Sequence, residues 1–136
     1  IYNAPFPMPV RRLYSYFTYV PLAIERMQQG AAYLVGEHDF KSFCSVQAQV
    51  ESTIRQIDAV EVLQENQEIV IRVSGRGFLY NMVRIIAGTL MKIGQGDWEP
   101  ECIPEILAGC DRQLAGPTAP ARGLTLMEIH FKGEKG

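Results

Sequence analysis

Residues 78–93 read FLYNMVRIIAGTLMKI and form the clearest helical pattern in the sequence. Apolar side chains recur there every three or four positions, which places them on one face of a helix. That face carries Leu79, Met82, Val83, Ile86, Leu90 and Ile93. Gly94 and Gly96 predict the end of the helix, since glycine readily adopts the left-handed conformation found at helix ends. The segment is therefore predicted to pack one face against a hydrophobic core.

Two strands are predicted just before this helix, over residues 51–64 and 67–74. The second strand alternates Ile69, Ile71 and Val73 with their neighbours in the period of two that is typical of strands. The intervening Glu65-Asn66 suits a tight turn, so the pair predicts a hairpin. In the first strand the apolar alternation changes phase after Ala59, which predicts a β-bulge.

The remaining elements follow from similar patterns. We expect an extended, proline-bearing lead-in over residues 1–20 and one domain over residues 21–136. Within that domain the patterns predict a helix over 21–35 ended by Gly36, a helix over 101–108, a loop over 109–122 and a strand over 123–131. Helices and strands in mixed order predict an α+β fold, with a mixed, mainly antiparallel sheet and helices packed on one face.

Composition limits the classes of function. With 136 residues, 47% of them hydrophobic and 21% charged, the chain is large enough for one folded domain. The net charge of −2 gives no indication of nucleic-acid binding, so an RNA surface would have to be a local patch. The sequence contains no apolar run of about 18 residues, so no membrane span is predicted. The N-terminus does not show a basic region followed by an apolar run, so no secretory signal is expected. Three widely spaced cysteines predict reduced thiols in the cytoplasm, and no metal site is expected from their spacing.

His38-Asp39 and the segment Gly75-Arg76-Gly77 allow two interpretations each. His38 and Asp39 could form an acid–base pair or an RNA contact. The alternative is a polar turn in which Asp39 accepts a backbone N–H and Phe40 fills the core. The glycine segment lacks the spacing of a dinucleotide or phosphate loop. It predicts a strand-to-helix turn, although its glycines could also bring the backbone close to a ligand.

Arg84 is the most informative polar residue, because it lies between Val83 and Ile85 in a strongly apolar helix. It could extend from the edge of the apolar face into water. Alternatively it is buried beside an anion, since an unpaired buried cation is very costly. A carboxylate or a phosphate would match its planar guanidinium. Arg72, Arg76, Arg112 and Arg122 could add a modest basic patch, and Tyr80 could stack on a base.

The motifs taken together resemble the C-terminal domain of the tRNA pseudouridine synthase A (TruA) family. The resemblance runs from about Leu22 to Phe131 and keeps the family's order and spacing. It rests on Gly36-x-His38-Asp39-Phe40-x-x-Phe43, on Arg55, on Gly77-Phe78-Leu79-Tyr80-Asn81-Met82-Val83-Arg84, on Gly88, Gly94 and Gly96, and on Ala115 with Thr118-Ala119-Pro120-Ala121-x-Gly123-Leu124.

This resemblance implies an isomerase that converts uridine to pseudouridine in the tRNA anticodon stem-loop, without a metal or organic cofactor. It implies a homodimer that binds tRNA. Arg84 matches the arginine that pairs with the family's catalytic aspartate. That aspartate belongs to an Arg-Thr-Asp-x-Gly-Val-His motif, which this sequence lacks. The family's tyrosine motif comes shortly before the point that matches Ile1-Tyr2-Asn3, so the chain is expected to start after the N-terminal half.

The resemblance also implies which residues would contact substrate. Phe78, Leu79 and Met82 would line or support the pocket of a flipped base. Apart from the resemblance, Arg76 of the basic patch and Tyr80 as a stacking side chain are expected to add substrate contacts. In this chain Arg84 is expected to lack its carboxylate partner and to be unpaired and more mobile, and the chain alone is expected to be inactive. Two alternatives are a non-catalytic RNA-binding or protein-interaction module, and a small-molecule-binding domain with a pocket beside Arg84.

Overall fold

A computed structural model describes residues 11–19, 22–45, 52–79 and 81–129. Its elements are β1 (Arg11–Tyr19), α1 (Ile24–Ala32), β2 (Gly36–Asp39), β3 (Ile54–Glu65), β4 (Glu68–Arg76), α2 (Met82–Gly94), α3 (Cys102–Gly109) and β5 (Leu124–Ile129), with short 3-10 turns at Lys41–Phe43, Arg112–Leu114 and Ala121–Gly123. The strands form one sheet in the order β2-β3-β4-β1-β5, with antiparallel neighbours throughout. The predicted α+β class is confirmed.

The hairpin of β3 and β4 is the best-predicted part of the sheet. The strands join through Asn66, whose positive φ of 58° suits a tight turn, so the turn lies one residue later than predicted. The predicted bulge is confirmed, because the pairing register shifts between Ile57 and Ala59. Ile69, Ile71 and Val73 of β4 are fully buried in the hydrophobic core that also contains the buried residues of α2.

Two strands differ from the sequence predictions. β1 lies inside the predicted lead-in of residues 1–20, yet it pairs with β4 on one side and β5 on the other. Residues 36–39 form β2, paired with β3, where the sequence predicted a helix end followed by a polar turn. Gly36 therefore does not end α1, which ends at Ala32. Pairing with a neighbouring strand decided both segments, and a local pattern does not show such pairing.

The helix α2 begins at Met82, four residues later than predicted, because Asn81 has a left-handed backbone with φ 62°. Its end at Gly94, followed by Gly96 with φ 88°, agrees with the prediction. The helix α1 packs across α2 at Gly94, whose carbonyl accepts the Ala23 N–H at 2.8 Å. The helix α3 lies within one residue of its prediction, and the predicted strand 123–131 is seen as β5, with residues 130–131 outside the described residues.

Candidate active site

The turn between β4 and α2 places several predicted residues around one small pocket. Gly77 has φ 68° and Asn81 has φ 62°, so the backbone path is left-handed at both of these residues. This path turns Phe78 toward β1, where its ring meets Tyr14 edge to face at a centroid distance of 5.1 Å. The pocket has a volume of about 80 Å³ and is lined by Tyr14, Phe78, Leu79, Asn81, Met82, Val83, Arg84 and Leu124.

Arg84 is half-buried at this pocket, where neutral acceptors hold its guanidinium. Nε donates to the Ala119 carbonyl at 2.7 Å, and Nη1 donates to Oδ1 of Asn81 at 3.0 Å. Two of its five N–H donors are used in this way. Among the described residues no carboxylate lies within ion-pair distance of Arg84. The sequence-based expectation of an unpaired guanidinium is wrong, because the Ala119 carbonyl and the Asn81 side chain both accept hydrogen bonds from Arg84.

The loop of residues 115–120 supplies one of these acceptors and is fixed against α2. A side chain at Gly88 would overlap the Pro117 carbonyl, so the loop lies directly on the helix backbone at that point. The Gly116 N–H donates to Thr89 Oγ1 at 2.9 Å. The Tyr16 hydroxyl donates to the Pro120 carbonyl at 2.9 Å. Helix and sheet together therefore set the position of the Ala119 carbonyl.

Tyr16 belongs to the same neighbourhood and has a perturbed acidity. Burial raises the pKa of its phenol above the usual value, while the positive charges of Arg122 and Arg84 act in the opposite direction. The phenol is therefore neutral near pH 7, and its hydroxyl donates the hydrogen bond that the Pro120 carbonyl accepts.

The structure brings together most, but not all, of the predicted substrate residues. Phe78, Leu79 and Met82 line the pocket beside Arg84. Arg76 is exposed at the end of β4 and does not line it. Tyr80 lies outside the described residues. Sequence reasoning gave no role to four contributors: Tyr14, Asn81, Leu124 and the Ala119 carbonyl.

Asp39 has a structural role in the fold. Its Oδ1 accepts the Thr53 hydroxyl at 2.5 Å and the Lys41 backbone N–H at 3.1 Å, and Phe40 is fully buried. The Thr53 hydrogen bond, followed by the smaller effect of the Lys41 N–H, lowers the pKa of Asp39, against an opposing effect of desolvation. His38 instead contacts the Val35 carbonyl through Nε2 at 3.0 Å. The structural interpretation of these two residues is confirmed, although both lie in the strand β2 and not in a turn.

A larger cleft beside α3 has the opposite electrostatic character. It encloses about 570 Å³ and is lined by Trp98, Glu99, Glu101, Cys102, Glu105, Ile106 and Leu114. Three carboxylates and no basic side chain face it, so it would repel RNA phosphates. Size alone therefore does not identify the functional site in this chain.

The described residues contain no group of three or more His, Cys, Asp or Glu side chains arranged to hold a metal ion. Within the same part of the chain no helix is both long enough and apolar enough to cross a membrane. Cys44, Cys102 and Cys110 are free thiols.

Comparisons with known proteins agree with the sequence motifs. A family model described as tRNA pseudouridine synthase matches residues 31–132. A tRNA pseudouridine synthase A from Brevibacillus brevis is 49% identical over 129 residues, covering 95% of this chain and 53% of the relative. One from Ruminiclostridium cellulolyticum is 48% identical over 132 residues, and one from Pelobacter propionicus is 46% identical over 131 residues. Each of these two matches covers 96% of this chain and 54% of the relative. The chain spans about half the length of the curated relatives it matches, and the predicted resemblance is confirmed.

Proposed function

Because the chain belongs to the tRNA pseudouridine synthase family, we propose that the whole protein isomerises uridine to pseudouridine in tRNA, with Arg84 in its active site. In this reaction the bond between uracil N1 and ribose C1′ breaks and a bond between C5 and C1′ forms. C5 loses a proton and N1 gains one, so the product is an isomer of the substrate and no redox cofactor is required. The protein must hold the flipped nucleotide and position a carboxylate against it.

The observation that carries the proposal is the half-buried guanidinium of Arg84 at the wall of a pocket, where its hydrogen-bond acceptors among the described residues are all neutral. A cation held in this way retains its full charge for an anionic partner. The aspartate that the family uses is absent from this sequence as a motif, so the carboxylate would come from the part of the protein that the relatives have in addition. Arg84 would keep that aspartate ionised and oriented, and could contact the phosphate of the flipped nucleotide.

The residues beside Arg84 suit a base-binding wall. Phe78, held edge to face against Tyr14, would provide an apolar surface for a planar base, and the buried Leu79 and Met82 would support it. The pocket of about 80 Å³ would form one side of the site. The part of the protein that the relatives have in addition would complete it. Arg76 would contact RNA phosphates outside this pocket, and Tyr80 would stack on a base.

Three further features belong to the same proposal. The substrate region is the anticodon stem-loop, the protein acts in the cytoplasm, and it works as a homodimer. The free state of all three cysteines supports a reducing compartment. The homodimer follows from the family resemblance alone.

The test is tritium release from unmodified tRNA labelled at uridine C5, with the whole protein as enzyme. Release together with pseudouridine in the digested product is the expected result. A whole protein that binds this tRNA and releases no tritium would contradict the proposal and leave an RNA-binding module as the alternative. Mapping the modified positions by primer extension would then test the anticodon stem-loop assignment separately.

A further inference from the structure

Asn81 departs from the usual behaviour of a residue at a helix N-terminus. It occupies the N-cap of α2 with φ 62° and ψ 9°, whereas N-cap residues ordinarily have an extended backbone. An asparagine at this position normally accepts a backbone N–H of the first turn, and Asn81 makes no such bond. Its side chain therefore does not make the stabilising contact that a capping asparagine usually makes. Departures of this kind cluster at functional sites.

The side chain of Asn81 contacts Arg84 instead. Oδ1 accepts from Arg84 Nη1 at 3.0 Å, three positions along the chain. The oxygen must face the arginine, because a guanidinium can only donate hydrogen bonds. With Ala119 accepting from Nε, two acceptors on different sides fix the plane of the guanidinium at the pocket.

Backbone needs alone do not explain an asparagine at this position. The Asn81 carbonyl accepts the Ile85 N–H at 2.9 Å, a bond that any residue would make. The left-handed conformation would be met better by glycine. What asparagine adds over glycine is the side-chain acceptor, and Arg84 is the contact that this acceptor makes among the described residues.

We propose that Asn81 is a positioning residue for Arg84, which holds the guanidinium in the orientation that the reacting nucleotide and its carboxylate require. The proposal rests on the function proposed above. Asn81 supplies a neutral acceptor, so it orients the arginine without neutralising it. An aspartate there would compete with the catalytic carboxylate for the same cation.

The test is Asn81→Gly in the whole protein, since glycine accepts the left-handed backbone and removes the side-chain acceptor. We expect kcat for tRNA to fall about tenfold, the effect of losing one charge-assisted hydrogen bond, with KM little changed. The matched control is Asn66→Gly, at the other left-handed turn asparagine with φ 58°, remote in the hairpin. It should keep wild-type kcat.

A double-mutant cycle separates positioning from helix stability. If Asn81 acts through Arg84, Asn81→Gly should add little to the loss already caused by Arg84→Lys. Additive losses, or a kcat of Asn81→Gly equal to that of Asn66→Gly, would overturn the proposal.

A second measurement does not depend on activity. The NMR order parameter of the Arg84 Nε–H in the whole protein should fall in Asn81→Gly and stay unchanged in Asn66→Gly. An inactive wild type would contradict the proposed function, and this readout would then decide the positioning role by itself. An unchanged order parameter would overturn that role.

Discussion

Arg84 and Ala119 are joined by two hydrogen bonds that run in opposite directions. The Arg84 side chain donates from Nε to the Ala119 carbonyl at 2.7 Å, and the Ala119 N–H donates to the Arg84 carbonyl at 3.0 Å. The first bond orients the guanidinium, and the second fixes the loop that provides its acceptor. The position of the charge at the pocket is thus coupled to the seating of the loop on α2.

Replacing Arg84 with lysine should remove most of the activity of the whole protein. Lysine keeps the charge but cannot donate in two fixed directions. We expect kcat for pseudouridine formation to fall about 10²–10³-fold, as for other charge-stabilising groups, measured by single-turnover tritium release.

The control for this substitution is Arg26→Lys. Arg26 also donates to backbone carbonyls, those of Ile93 and Trp98, at the opposite end of α2. Its loss should lower the melting temperature and leave kcat nearly unchanged. Equal losses of kcat in the two variants would contradict a specific role for Arg84.

Gly88→Ala should displace the loop that carries Ala119. The new methyl group would overlap the Pro117 carbonyl, and a backbone atom cannot move aside as a side chain does. We expect a loss of about 1–3 kcal/mol in the free energy of unfolding, measured by urea denaturation, together with reduced kcat because the Arg84 acceptor shifts.

Gly30→Ala in α1 is the matched comparison for Gly88→Ala. The added methyl group there would meet only side-chain ends, with Ile93 Cδ1 at 3.0 Å. Both substitutions gain similar helix propensity. The difference between their free energies of unfolding therefore measures the cost of the clash at Gly88. If Gly88→Ala were as stable as Gly30→Ala, the loop would not be seated as described.

Arg76→Ala should weaken RNA binding and leave the chemical step intact. Arg76 is exposed at the end of β4 and does not line the pocket. We expect a KM several-fold higher and an unchanged kcat. The slope of log Kd against log salt concentration should be smaller by about one. Lys92→Ala, at the far end of α2 beside Asp97, is the control and should change neither quantity. A fall in kcat for Arg76→Ala would place this residue in the active site instead.

Asp39 should contribute to stability at neutral pH and not to catalysis. Its pKa in the folded chain is lowered, chiefly by the Thr53 hydroxyl, so its contribution is fully present above the unfolded value of about 3.9 and is lost as pH falls through the folded value. The urea midpoint of the wild type should therefore exceed that of Asp39→Asn at about pH 6, and the difference should shrink below about pH 4.

Glu37→Gln, an exposed neighbour on the same strand, serves as the control for this pH dependence. In the whole protein Asp39→Asn should keep kcat within a few-fold of wild type. A loss as large as that of Arg84→Lys would make Asp39 a candidate nucleophile and contradict its structural role.

The sequence predicted the parts of the fold whose signals are local. The apolar stripe of α2, the alternation in β4 and the phase change at the bulge all depend on neighbours within a few residues. β1 was missed although Tyr14-Ser15-Tyr16-Phe17-Thr18 is rich in strand formers, because the prolines before it suggested a lead-in. The four residues of β2 were missed because Gly36 and Asp39 are also typical of turns.

The site was predicted in part, for a similar reason. Side chains on one helix and its preceding turn, such as Phe78, Met82 and Arg84, share a pocket because they are close in sequence. Tyr14 enters from a strand more than 60 residues away, and the acceptor at Ala119 is a backbone oxygen, which leaves no trace in residue type. Asn81 could have been noticed as an asparagine between an apolar turn and an apolar helix.

Whether Arg84 belongs to one half of an active site is tested by comparing two samples on the same unmodified tRNA. One is the whole protein, and the other is the 136-residue chain alone, shown by circular dichroism to be folded. We expect tritium release and pseudouridine from the whole protein, and none from the chain alone above the no-enzyme background. Turnover by the chain alone would mean that a carboxylate within it performs the chemistry, and would contradict the assignment of the site.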